Sequence, residues 1–149
     1  MVKKYLILGA ILLIVDQITK YWVRINSVYH DLGIVAINYV KNTGASFGLF
    51  QGFNYILVLL YPVALFAMYY YRRELLGSKW KNIFYTLIIA GILGNFIDRI
   101  FFGFVIDFID LKWWPVFNLA DSYLCIGIVG TIYLNLRTQN SSNSDSLSK

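Results

Sequence analysis

Long apolar runs alternate with short polar segments along the chain. Four runs approach the ~20 residues that cross ~30 Å of hydrocarbon as a helix: Tyr5 to Val23, Tyr55 to Tyr71, Phe84 to Arg99 and Phe117 to Leu136. The second and third are short, so tilt or local thinning is expected there. Pro62 lies inside the second and predicts a kink, which membrane helices tolerate. The first run follows Lys3 and Lys4, as a signal peptide would. It continues through Asp16 and Lys20 with no small-residue cleavage site after it, so it reads as an uncleaved span.

The segments between the runs differ. Arg24 to Asn54 is long enough to hold structure. Within it, Gly33 to Val40 (GIVAINYV) predicts a strand, and Asn42, Thr43 and Gly44 predict a turn. Ile100 to Pro115 reads as a second loop on the same side, with Trp113 and Trp114 as interface anchors. The expected fold is an all-α polytopic membrane protein: four transmembrane helices, a small external β-sheet and an external loop. Residues 1–139 form the membrane domain. Residues 140–149, rich in Ser and Asn, read as a disordered cytoplasmic tail.

Composition supports lipid as the surroundings. The 149 residues are 58% apolar and only 14% charged, whereas a soluble domain of this size needs a more polar surface. The net charge of +5 sits in short segments flanking the runs, with no basic helix carrying base-reading side chains, so nucleic acid is not the expected partner. Arg72, Arg73, Lys79 and Lys81 crowd the loop between runs two and three, and Lys3, Lys4, Arg137 and Lys149 fall on the same side of a four-span chain. Arg24, Lys41, Arg99 and Lys112 are left for the other side. The positive-inside bias places both termini in the cytoplasm. Cys125 is the single cysteine, which excludes an intramolecular disulfide, and the single histidine, His30, excludes multi-histidine metal sites.

Several polar residues stand inside or at the ends of these runs, where each needs a reason. Asp16 and Lys20, four apart, share a helix face: they read as a packing pair, or as a contact with headgroups made by a snorkelling Lys20. Asn95, Asp98 and Arg99 form the polar end of run three, either as a hydrogen-bonded terminus with an Asp98–Arg99 charge network or as part of a site. Gly91, Gly94, Gly127 and Gly130 leave room for a neighbouring helix or for substrate. Asp107 lies in an apolar stretch. Asp121 lies one turn into run four, with Asn118 three residues before it. If the chain folds back, these two carboxylates meet. A pair that shares one proton can draw a proton from water and polarise a scissile carbonyl, with no metal or cofactor. Ser46 and Ser122 have no histidine in a motif with either, although a Ser–Lys arrangement through Lys20 or Lys41 stays open on spacing. So do a proton or cation path lined by Asp16, Asp98 and Asp121, and a scaffold role.

Five short motifs resemble the bacterial lipoprotein signal peptidases, an aspartic membrane peptidase family. D-Q-x-x-K stands as Asp16, Gln17 and Lys20. N-x-G-x-x-F-G stands as Asn42, Gly44, Phe47 and Gly48. G-N-x-x-D-R stands as Gly94, Asn95, Asp98 and Arg99. V-x-D-F stands as Val105, Asp107 and Phe108, and F-N-x-A-D as Phe117, Asn118, Ala120 and Asp121. One small departure is Ala90–Gly91, where the family usually has paired glycines. The resemblance covers nearly the whole chain. It implies Asp107 and Asp121 as the catalytic dyad, and Asn42, Gly44, Asn95, Arg99 and Asn118 as substrate-binding positions. Asp16, Lys20 and Asp98 become supporting residues, and the external sheet cradles substrate. It also implies a prolipoprotein substrate bearing a diacylglyceryl-cysteine, cut just before that cysteine. The implied location is the bacterial cytoplasmic (inner) membrane, with the site at its external face. Membrane lipids are implied partners, cyclic peptides of the globomycin class are family inhibitors, and nothing in the residues demands a partner subunit.

Overall fold

The computed structural model describes residues 2–44 and 53–147, with side chains to Thr138. Ser46, Phe47 and Gly48, singled out above, lie outside the described residues. In chain order the elements are α1 (Val2–Asn26), β1 (Tyr29–Asp31), β2 (Ala36–Asn42), α2 (Asn54–Tyr70), α3 (Arg72–Leu75), α4 (Lys79–Phe102), β3 (Val105–Asp110) and α5 (Leu119–Leu147).

Burial in this chain is inverted. Its largest fully buried side chains are Lys20, Ile106, Asn118, Asp16, Asp98 and Asp107. Leu6, Ile7, Ile18, Leu59, Phe66 and Val129 are exposed. Water would drive the reverse arrangement; hydrocarbon accepts it, because apolar surface there loses nothing and polar groups must pair inside.

Among the described residues, three helical segments are long and apolar enough to cross a membrane: Lys3–Asn26, Lys79–Phe102 and Leu119–Thr138. The fourth expected span, α2, has 17 residues. At ~1.5 Å per residue it reaches about 25 Å, short of ~30 Å of hydrocarbon. It runs unbroken through Pro62 and has no buried residue, so it lies at the edge of the bundle. By contrast, α4 is central, packing on α5, α1 and α2.

Helix α4 is well bounded. Ser78 caps its start by accepting from the N–H of Lys81 at 3.3 Å, and Gly103, at φ 78°, ends it in the left-handed conformation. Glycines set the α4–α5 spacing. A Cβ on Gly91 would sit 2.5 Å from the Ala120 carbonyl oxygen, and one on Gly127 2.6 Å from Ile88 Cγ1. The rings and backbone of α4 and α5 therefore fill the space at Gly91, Gly127 and Gly130. Of the two expected uses of these glycines, room for a neighbouring helix or for substrate, the first is the one observed at Gly91, Gly127 and Gly130: α4 and α5 use that room to approach each other, which leaves none there for substrate.

A three-stranded antiparallel sheet, in the order β1-β2-β3, covers one end of the bundle. Strand β2 confirms the expected strand, displaced to Ala36–Asn42, and the Gly44 N–H bonds Asn42 Oδ1 at 3.0 Å in the expected turn. Strand β3 lies in the segment read as loop. Its residues Val105 to Phe108 are all buried, so it lacks the in–out alternation by which a strand is read. The register places Val40 opposite Asp107, with an irregularity in β2 between Ile37 and Val40. Beyond β3 the chain doubles back, and Phe117 bonds Ile109 in both directions, at 2.8 and 3.1 Å. The backbone of α5 is helical to Leu147, well into the segment whose composition predicts disorder.

Candidate active site

The return of the chain at Phe117 brings the start of α5 against β3. Asn118 is the N-cap of α5 and Asp121 its third residue. The Asp121 N–H donates to Asn118 Oδ1 at 2.9 Å, and the Asn118 N–H donates to Asp121 Oδ2 at 3.2 Å. This reciprocal capping box fixes the Asp121 carboxylate against the helix start. Asn118 Nδ2 then lies 2.7 Å from Asp107 Oδ1 and 3.1 Å from Asn95 Oδ1. One asparagine therefore holds both carboxylates.

Each carboxylate has a further amide donor. Asn42 Nδ2 bonds Asp107 Oδ2 at 2.8 Å, and Asn95 Nδ2 bonds Asp121 Oδ1 at 2.7 Å. Burial and the neighbouring charge of Asp121 push the Asp107 carboxyl up to about 7, against the opposing pull of its Asn42 and Asn118 donors. Two carboxyls so coupled titrate as a pair.

Both aspartates line a cleft of about 1140 Å³. Its walls include Leu57, Leu60 and Tyr61 of α2, Leu124, Cys125 and Ile126 of α5, and Trp113 and Trp114 of the loop after β3. Asn42, Asn95 and Arg99 also line it. The cleft is therefore lined mostly by apolar side chains, with the two aspartates among them.

Arg99 is buried and lines this cleft. Its guanidinium donates to Tyr61 Oη at 3.3 Å, Asn54 Oδ1 at 3.0 Å and the Gly44 carbonyl at 2.5 Å. The expected Asp98–Arg99 charge network is not formed, since adjacent helical residues point to different sides. Asp98 instead pairs with Lys20 at 3.2 Å. The Asp16–Lys20 pair is made at 2.8 Å, and Lys20 is buried rather than snorkelling to the surface. Ser122 Oγ is turned back to the Asn118 carbonyl at 3.1 Å.

The geometry thus joins Asp107, Asp121, Asn42, Asn95 and Asn118 directly. Arg99 lines the same cleft and bonds the Gly44 carbonyl, and Asp16, Lys20 and Asp98 join the cluster through Asn95. Sequence reasoning missed Asn54 and Tyr61, and named Gln17 in a motif without giving it a role. Gln17 Nε2 lies 3.1 Å from each of Asp16 Oδ2, Asp98 Oδ1 and the Gly94 carbonyl. The capping spacing N-x-x-D was a readable signal for the Asn118–Asp121 link; nothing local marks Asn54 or Tyr61.

Apolar helices that bury converging carboxylates beside an apolar cleft make a membrane protein with a site capable of acid–base chemistry. The family model described as Signal peptidase (SPase) II matches residues 8–137. The chain belongs to the signal peptidase II family, whose members are peptidases. It is 41% identical over 137 residues to a lipoprotein signal peptidase of Thermodesulfovibrio yellowstonii, covering 85% of this chain and 90% of that one. It is 41% identical over 126 residues to one from Syntrophomonas wolfei, covering 80% and 85%. Its fold is similar to a solved bacterial membrane enzyme with TM-score 0.88 and 28% identity, over 95% of this chain and 92% of that one.

Proposed function

We propose that this chain is an aspartic endopeptidase that removes the signal peptide from diacylglyceryl-modified prolipoproteins, cutting just before the lipidated cysteine. The observation that carries the reading is the link from Asp107 through Asn118 to Asp121 in the wall of a largely apolar cleft. Family membership supplies the peptidase class, and the relatives' names supply the lipoprotein substrate.

In this mechanism the pair holds one proton. The ionised carboxylate takes a proton from a water while the water oxygen bonds the scissile carbonyl carbon. The protonated carboxyl gives its proton to the carbonyl oxygen, leaving a tetrahedral diol. A carboxyl then protonates the amide nitrogen, the C–N bond breaks, and one hydroxyl proton of the diol returns to the pair. The products are the signal peptide's carboxyl group and the amine of the lipidated cysteine. The four amide donors around the carboxylates hold them in place without supplying a competing base. Arg99 and Gly44 shape the rim against which the substrate backbone lies.

The cleft wall fits a partly apolar substrate. Signal helix and acyl chains reach it from the bilayer between α2 and α5. In this arrangement α2 serves as a fourth, short span in a locally thinned bilayer. Both termini are cytoplasmic and the dyad is at the external face, as the distribution of Lys and Arg requires. The protein works as a monomer in the cytoplasmic (inner) membrane, takes no cofactor or metal, and binds globomycin-class cyclic peptides in the same cleft.

The test is incubation of the purified protein in detergent with a diacylglyceryl prolipoprotein, beside Asp107→Asn and Asp121→Asn. Cleavage before the lipidated cysteine by the wild type alone is expected; equal cleavage by either variant overturns the dyad. Cation flux into liposomes that Asp121→Asn abolishes would instead favour a conducting protein.

A further inference from the structure

Lys20 is a buried cation that the chemistry above leaves unused. It is 1% exposed, and its ammonium meets three acceptors: Asp16 Oδ2 at 2.8 Å, Asn95 Oδ1 at 3.0 Å and Asp98 Oδ2 at 3.2 Å. Three acceptors match the three donors of an ammonium group.

Each acceptor leads on to a different handle on the aspartate pair. Asp16 Oδ1 accepts the N–H of Ala120 at 2.9 Å, the residue immediately before Asp121. Asp98 Oδ2 accepts the N–H of Ile106 at 3.1 Å, the residue immediately before Asp107. Asn95 makes the third link. An ammonium only donates, so the Asn95 atom that faces it must be the amide oxygen. The amide nitrogen is thereby turned to Asp121 Oδ1, at 2.7 Å.

We propose that Lys20 is a positioning residue for the peptidase reaction, holding Asp107 and Asp121 in their mutual geometry through Asp98, Asp16 and Asn95. This rests on the reading of Asp107 and Asp121 as the catalytic pair. Lys20 bonds neither Asp107 nor Asp121 and does not line the cleft. It fixes the two backbone segments that deliver the carboxylates and sets the amide that faces one of them. A helix-packing pair would need only Asp16 and Lys20; it would not need one buried ammonium joined to β3, α4 and α5 through matched contacts.

The test compares three variants for kcat, KM and melting temperature in detergent with the lipidated substrate. Lys20→Met strands two buried carboxylates, so it is expected to melt lower as well as turn over slowly. Asp98→Asn/Lys20→Met removes one charge of each sign and keeps an oxygen for the Ile106 N–H. Lys20→Arg keeps the cation with a different shape. For Lys20→Arg, the expected result is a melting temperature near wild type, KM little changed, and kcat lower by about tenfold or more, as small misplacements of reacting groups produce. The double variant, in which only Asp16 is left without its ammonium, is expected to melt between Lys20→Met and wild type with the same loss of kcat per folded protein. Loss of kcat only in proportion to lost folded protein, or wild-type kcat in the double variant, overturns the role of Lys20. Wild-type turnover is the control: without it the peptidase reading itself fails, whereas wild-type turnover with an undiminished double variant removes Lys20 alone.

Discussion

Asn118 donates through Nδ2 to Asp107 Oδ1 at 2.7 Å. The same residue starts α5 and exchanges two capping bonds with Asp121. A helix cap and the spacer between the two carboxylates are therefore one side chain. Asn118→Ala is expected to cost about 1 kcal/mol for the lost cap. Its kcat should fall by ~10²-fold as both carboxylates lose their common anchor. Melting curves and turnover measured together check this; a stability loss with unchanged kcat would show that Asn118 is only a cap.

The pH dependence follows from Asp107. Its carboxyl is raised to about 7 by burial and by Asp121, so the folded protein prefers the protonated form. Its contribution to stability is full below the ordinary carboxylate range near ~4 and is lost as pH rises through about 7. The melting temperature should therefore fall between about pH 4 and about pH 7 in the wild type, and fall less in Asp107→Asn. Identical slopes in the two proteins contradict the raised carboxyl.

Activity should follow the same group. A shared proton is needed to polarise the carbonyl, so kcat/KM should decline as pH rises above about 7, where Asp107 loses it. A profile flat from neutral to alkaline pH would count against the proton-sharing pair.

Gly94 marks how closely α1, α4 and α5 converge. A Cβ there would lie 2.6 Å from Asp16 Oδ2 and 3.0 Å from Ala120 Cβ. Gly94→Ala is expected to destabilise by roughly 1–3 kcal/mol, as overpacking does. Gly33→Ala, with open space around its Cβ but φ +90°, should lose stability through backbone strain alone and keep activity. Denaturation in detergent and turnover distinguish the two.

Arg99 tests the link between α2 and the turn after β2. Its planar fork reaches Asn54, Tyr61 and Gly44 together. Arg99→Lys keeps the charge but cannot make all three contacts, so the melting temperature should fall and KM should rise. An unchanged melting temperature and KM would mean that Arg99 does not hold α2 to the turn after β2.

By itself, the sequence determined the solvent, the helical runs and the acid–base capacity. Apolar runs cannot be covered in water, and an aspartate within one demands a partner, so Asp16, Asp98 and Asp121 were legible as paired groups before any fold was known. Tertiary structure alone decided which partners they take. Asp98 turns to Lys20 rather than to Arg99, because neighbours on a helix diverge and the ammonium of α1 lies on the inner face. Strand β3 escaped notice because burial on both faces erased its alternation, and α2 falls short of the span its hydropathy suggested. Asn54 and Tyr61 became site residues only when α2 came to rest beside Arg99. Such pairings join residues dozens of positions apart, and no local pattern of polarity encodes a contact that exists only after the chain has folded back on itself.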